Sequence, residues 1–213
     1  MQIHEKITRI MQITRDLAQC SSILDLACGQ GLYALEAARR FPAARIHATD
    51  ARSERMDLGR SRAKEEGLHC TFEQIDVRDM SVASHGRWEV IYFLGILYHL
   101  DFPDAVAVLE RIGRMCGRLL IIDTHVSLRP RKTREWNGLT VRGHLFREHR
   151  RGSSPEKKEA SVRASIDNDY SFWLTEQSIM EILGRIGFSS AYRCMLPAEP
   201  GKPKDRVTLV AVK

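Results

Sequence analysis

Residues 23–31 read Ile23-Leu-Asp25-Leu-Ala27-Cys-Gly29-Gln-Gly31. Residues 23–27 form a short apolar run, residues 28–31 a glycine turn, and residues 32–41 (LYALEAARRF) a helical pattern closed by Pro42. Strand, turn and helix follow one another without a gap. Gly29 and Gly31 let the backbone turn sharply and come close to a ligand.

The same alternation continues outward. Residues 45–49 read as a second strand ending at Asp50, and Ser53 is the expected cap of a helix running to 66 and stopped by Gly67. Residues 69–75, 89–93 and 118–122 read as strands three to five, with a helix over 103–115 before the last. Strands separated by helices imply right-handed crossovers and a parallel sheet covered on both faces. Continuous apolar strands suit such a sheet, because both faces are buried. Upstream, Ile3, Ile7, Ile10, Met11 and Leu17 space an amphipathic helix over 3–20. Downstream, Thr175 caps a helix over 176–186, and strands at 190–196 and 206–212 flank a turn at 197–205. That terminal hairpin makes the sheet mixed.

The chain has 213 residues, 43% hydrophobic and 28% charged, which suits one globular domain with a real core. The expected division is an N-terminal helix over 1–22 and a single domain over 23–213. The longest nearly apolar run, 90–100, is too short to cross a membrane, which takes about 20 residues. The N-terminus carries no apolar signal core, so the expected location is cytoplasmic. Five scattered cysteines, with no C-x-x-C pair, read as reduced thiols, and no metal site is expected. Of the net charge of +6, the stretch 126–170 holds +5, from eleven Lys/Arg against six Asp/Glu. Residues 124–170 are polar and poorly periodic, and a connection of that length reads as a basic lid or acceptor-binding insertion after strand five.

Three acids mark the strand ends: Asp25, Asp50 and Asp76. Ligands of open α/β sheets sit at that edge. Gly29-x-Gly31-x-x-Ala34 also fits a dinucleotide fingerprint, but the carboxylate of Asp25 before the turn would repel a pyrophosphate. A ligand with an ammonium and no phosphate fits better, and S-adenosylmethionine is one. In that arrangement Asp25 serves its amino-acid end through the turn, Asp50 the ribose diol and Asp76 the adenine amine. With these motifs the chain resembles the class I S-adenosylmethionine-dependent methyltransferases from residue 23 onward. The resemblance implies a Rossmann-like methyltransferase fold with a seven-stranded mixed sheet and helices on both faces. It implies a cofactor site made by Asp25, Ala27, Gly29, Gly31, Asp50, Ala51, Asp76, Val77, Phe93 and Gly95. Ala27 departs from the glycine that many members carry there.

After strand four comes Gly95-Ile-Leu-Tyr98-His99. It is similar to a stretch of bacterial enzymes that alkylate the wobble uridine of transfer RNA, and it also occurs in other small methyltransferases. Tyr98 and His99 should face the transferring methyl, and His125, after strand five, stands on the same rim. His99 and His125 are the candidate bases, because a neutral imidazole accepts a proton from an oxygen or nitrogen nucleophile. Asp123 either orients an imidazole or ends its strand. Arg147, Arg150 and Arg151 are candidates for an acidic group on the acceptor, and Tyr170 and Trp173 for stacking on a planar one. The expected activity is methyl transfer to an oxygen or nitrogen of a small-molecule acceptor, as in specialised metabolism. An RNA acceptor is the alternative, and a non-catalytic cofactor-binding partner subunit is a third possibility.

Overall fold

The computed structural model describes residues 2–194 and 203–213. The expected end of a strand at 196 and most of the turn 197–205 fall outside the described residues.

A seven-stranded sheet forms the centre, built from β1 (Ser22–Leu26), β2 (Arg45–Asp50), β3 (Cys70–Gln74), β4 (Trp88–Leu94), β5 (Cys116–His125), β9 (Ser190–Cys194) and β10 (Arg206–Val212). Its order is β3-β2-β1-β4-β5-β10-β9. The first five strands run parallel, and β10 runs antiparallel to both its neighbours. The seven-stranded mixed sheet is as expected. β1 stands inside the sheet, beside the central β4, because the chain first builds toward one edge and then crosses to the other, so the loops after β1 and β4 diverge and leave a crevice.

One face packs on α1 (Gln2–Leu17) and α2 (Leu32–Arg40), through Ile7, Ile10, Met11, Ala34 and Ala37. Each large apolar side chain buried there contributes about 1.5–3 kcal/mol. The side chain of Ile3 is outside the described residues, and Leu17 is only half-buried. The other face packs on α5 (Asp104–Met115) and α7 (Glu176–Arg185), through Val106, Leu109, Ile179 and Ile182. Thr175 caps α7 as expected, its hydroxyl accepting from Ser178 N at 3.1 Å. Ser53 does not cap α3 (Ser53–Glu65). The cap is Arg52, whose amide is held by Asp50 Oδ1 at 2.9 Å.

One boundary is corrected. Strand five runs on through Asp123, Thr124 and His125, because β10 pairs with it as far as His125↔Arg206. The stretch 124–170, polar and poorly periodic in sequence, holds regular structure. It contains β6 (Lys132–Trp136), β7 (Leu139–Arg147) and α6 (Pro155–Glu159), and β8 (Tyr170–Leu174) follows it. These strands form an antiparallel sheet, β6-β7-β8. Its hairpin turns at Asn137-Gly138, both with positive φ (47° and 74°), the conformation an Asn-Gly turn favours. Val141, Phe172 and Leu174 dock this sheet onto the main core, and Phe172 N donates to Leu100 O at 2.9 Å. Among the described residues no helix is long and apolar enough to cross a membrane.

Candidate active site

The turn after β1 is left-handed at three alternate residues, Ala27 (φ 55°), Gly29 (57°) and Gly31 (71°). Gly31 opens α2, and a Cβ there would lie 2.7 Å from Phe72 Cε1. The amide of Gly29 donates to Asp50 Oδ2 at 2.9 Å, and Cys28 N donates to Thr49 O at 2.8 Å. The turn is therefore tied to the end of β2.

Asp25 is buried below this turn, 1% exposed, and its Oδ2 has no hydrogen-bond partner among the described residues. Burial pushes its pKa up to about 7; a backbone hydrogen bond from Ala34 opposes this and the charge of Asp50 adds to it. Asp50 is nearly buried and uses one lone pair on each oxygen for backbone amides, which leaves others for a ligand. Asp76 is gripped by Arg78, Nη2 to Oδ2 at 2.7 Å and Nε to Oδ1 at 3.0 Å. Burial alone would raise its pKa, but the bonds from Arg78 prevail and hold it below the carboxylate range.

These strand ends face a cavity of about 590 Å³, a volume in the range of small-molecule sites. Ala27, Asp50, Ala51, Asp76, Val77 and Gly95 line it. Asp25, Gly29 and Gly31 shape the turn and are not in the lining, and Phe93 is fully buried within β4, paired with Leu26 and Ile122. The far wall is the inserted segment 162–168. Three arginines clip that segment down. Arg52 donates to the carbonyls of Glu159, Ser161 and Ala164, Arg55 to that of Val162, and Arg78 to Asp167 Oδ2 at 2.8 Å.

Tyr98, His99 and His125 all line the cavity. His99 ends the 3-10 turn Leu97–His99, and its Nδ1 lies 2.9 Å from Glu148 Oε2. The Glu148 side chain is 1% exposed and also accepts from Ser171 Oγ (2.7 Å) and Ser165 N (2.9 Å). Burial would raise its pKa; the bonds from His99, Ser171 and Ser165 outweigh that and keep it below the usual range. An ionised Glu148 can only accept, so Nδ1 is the donor of this pair, and in the neutral imidazole the lone pair is then on Nε2. His125 is held the same way, Nδ1 3.0 Å from Asp205 Oδ1. Burial lifts the Tyr98 phenol against the opposing charge of Arg206, so it stays protonated at neutral pH. Asp123 orients neither imidazole. It is fully buried and bound to Arg206 Nη2 (2.6 Å), Lys6 Nζ (2.6 Å) and Thr208 Oγ1 (2.8 Å).

Trp173 lines the cavity, with Phe146 stacked on it at 4.4 Å and His125 at 4.9 Å. Its faces are engaged by the protein, unlike the free stacking platform expected. The structure does not bring Arg147, Arg150, Arg151 or Tyr170 into the cavity. Arg147 Nη2 instead donates to Tyr170 Oη at 2.8 Å, with both side chains exposed. Arg150 and Arg151 are exposed beyond the end of β7. The chain supplies other groups that the sequence did not single out: Glu148, Arg52, Arg55, Arg78 and Arg163.

The fold is that of the class I S-adenosylmethionine-dependent methyltransferases. Residues 23–118 match the model of a methyltransferase-domain family. Over 98 residues the chain is 32% identical to a ubiquinone biosynthesis O-methyltransferase of Nitrosococcus oceani, covering 46% of this chain and 38% of that one. A Serratia proteamaculans protein of the same name is 29% identical over 117 residues, 54% of this chain and 45% of the relative. The matched region thus spans less than half the length of these curated relatives. Among solved structures, the N-terminal domain of EvdMO1, crystallised in the presence of S-adenosylhomocysteine and D-fucose, superposes with a TM-score of 0.75 at 19% identity, covering 98% of this chain and 82% of that one. Magnesium protoporphyrin IX methyltransferase from Synechocystis PCC 6803 with bound S-adenosylmethionine gives 0.63 at 18%, covering 99% and 79%.

Proposed function

We propose that the chain is an S-adenosylmethionine-dependent methyltransferase that methylates an oxygen or nitrogen of a small molecule, with His99 as general base. The observation that carries this is His99, braced by the buried Glu148, lining the same cavity as Asp50 and Asp76. The residues suit the cofactor. Asp50 keeps free lone pairs for a ribose diol, and Asp76 stands where an adenine amine would be read. Gly95 holds φ 91° at the rim, beside Arg206 and Tyr98, and Asp25 would set the turn that meets the amino-acid end. Bound there, S-adenosylmethionine supplies a methyl group already activated by a sulfonium.

The chain's own contribution is then alignment and proton removal. Tyr98, His125 and Trp173 confine the acceptor, and alignment in well-oriented systems is worth up to about 7–11 kcal/mol. His99 Nε2 takes the proton from the acceptor's O–H or N–H as the new bond to carbon forms and the sulfur–carbon bond breaks. Glu148 stabilises the imidazolium that results. The name shared by the two curated relatives favours oxygen as the attacked atom. The walled cavity supports a small molecule over RNA.

The test is single turnover with radiolabelled S-adenosylmethionine against small hydroxylated aromatics and a bulk transfer RNA preparation. Methylation of a small acceptor, lost in His99→Ala, supports the proposal. Methylation of RNA alone would replace it.

A further inference from the structure

Past Phe146 and Trp173 the cavity adjoins a second groove of about 690 Å³, and these two rings line both spaces. The groove holds exposed apolar side chains, Leu128 and Leu145, beside three cations, Arg129, Arg131 and Lys132. Among the described residues none of the three is ion-paired with a carboxylate. The one carboxylate in the lining, Asp205, is engaged by His125 Nδ1. His144, also in the lining, is held below its ordinary pKa by burial first and then by the charge of Arg131, against Asp205. The groove therefore combines apolar surface with unpaired positive charge and shares the Phe146 and Trp173 side chains with the neighbouring cavity. Unpaired cations beside apolar surface suit a molecule with an apolar body and one negative end.

We propose that this groove is the outer half of the acceptor site. It takes an anionic group, a carboxylate in the first instance, on an acceptor whose ring system lies against Phe146 and Leu145 and whose methylated atom reaches His99. This assignment rests on the methyltransferase function proposed above. It moves acceptor recognition from Arg147, Arg150 and Arg151 to the strand-five exit and the start of β6, where Arg129, Arg131 and Lys132 stand.

Two probes with the same ring, 2-naphthoate and 2-naphthylmethanol, separate charge from shape. Binding to the full chain is followed by saturation-transfer NMR with S-adenosylhomocysteine present, and cofactor binding is measured on the same samples by calorimetry. The expected result is a preference for the carboxylate of about tenfold at low salt, the sum of a few modest surface attractions. The triple variant Arg129→Ala/Arg131→Ala/Lys132→Ala should reduce the preference to about one and leave the neutral probe and S-adenosylhomocysteine unaffected. Phe146→Ala should weaken both probes. No binding of either probe, equal binding of both, or a preference that survives the triple variant would overturn the proposal. So would loss of binding to phosphatidylglycerol vesicles in the triple variant without a change in probe preference, which would assign the cations to a lipid surface. Failure of S-adenosylhomocysteine alone to bind would count against the methyltransferase function and not against the groove.

Discussion

Glu148 Oε2 lies 2.9 Å from His99 Nδ1, across 49 residues of sequence, and joins the residue just past β7 to the 3-10 turn that follows β4. In the proposed mechanism the inserted segment takes part in the chemistry, because it delivers the carboxylate that holds the His99 imidazole. Glu148→Gln keeps the shape but removes the charge that stabilises an imidazolium. It should lower kcat by up to about 10²-fold, part of the about 10²–10⁴ that general-base catalysis contributes, and leave S-adenosylmethionine affinity unchanged. Single-turnover rates beside calorimetry check this. An equal fall in cofactor affinity would mean that Glu148 only holds the fold.

Asp25 gives a pH-dependent stability. Its pKa is raised to about 7 in the folded chain, chiefly by burial, against about 3.9 unfolded. The folded state therefore binds the extra proton between these values, and stability falls as pH rises from about 4 to about 7. Asp25→Asn removes this cost. In protein without cofactor the variant should gain roughly 2–4 kcal/mol over the wild type at pH 8 and much less at pH 4.5. Urea midpoints at the two pH values decide it. An equal difference at both would show that Asp25 ionises normally.

Ala27 holds φ 55° with a Cβ. That conformation costs an L-residue roughly 1–2 kcal/mol, of which glycine's looser unfolded state gives back about 0.5–1. Ala27→Gly should stabilise the chain by about 0.5–1 kcal/mol, measured by denaturant unfolding. A destabilised variant would mean that the methyl's packing in the turn outweighs its strain.

The central sheet was legible because each parallel strand is a continuous apolar run and each ends in a marked turn. Asp50 and Asp76 were legible for the same reason: a strand's end fixes where its last side chain stands. The inserted sheet was not, since β6 (KTREW) is exposed almost throughout and shows no alternation. Only Asn137-Gly138 signalled its hairpin. In the sequence Glu148 is one acid in a basic stretch, because its partner His99 lies 49 residues away and no local spacing encodes that contact. Arg147, Arg150 and Arg151, to which charge density points, lie outside the cavity. Arg52, Arg55 and Arg78, which clip its wall, sit in ordinary helix starts and turns.

The central claim, that the cavity at the ends of β1, β2 and β3 holds S-adenosylmethionine, is tested most directly by calorimetry on the wild type and Asp50→Asn. The wild type should bind S-adenosylmethionine and S-adenosylhomocysteine one to one and show no heat with NAD. Asp50→Asn should weaken both by about 1–3 kcal/mol, through lost hydrogen bonds to a charged acceptor. Binding of NAD with no response to S-adenosylmethionine would contradict the claim.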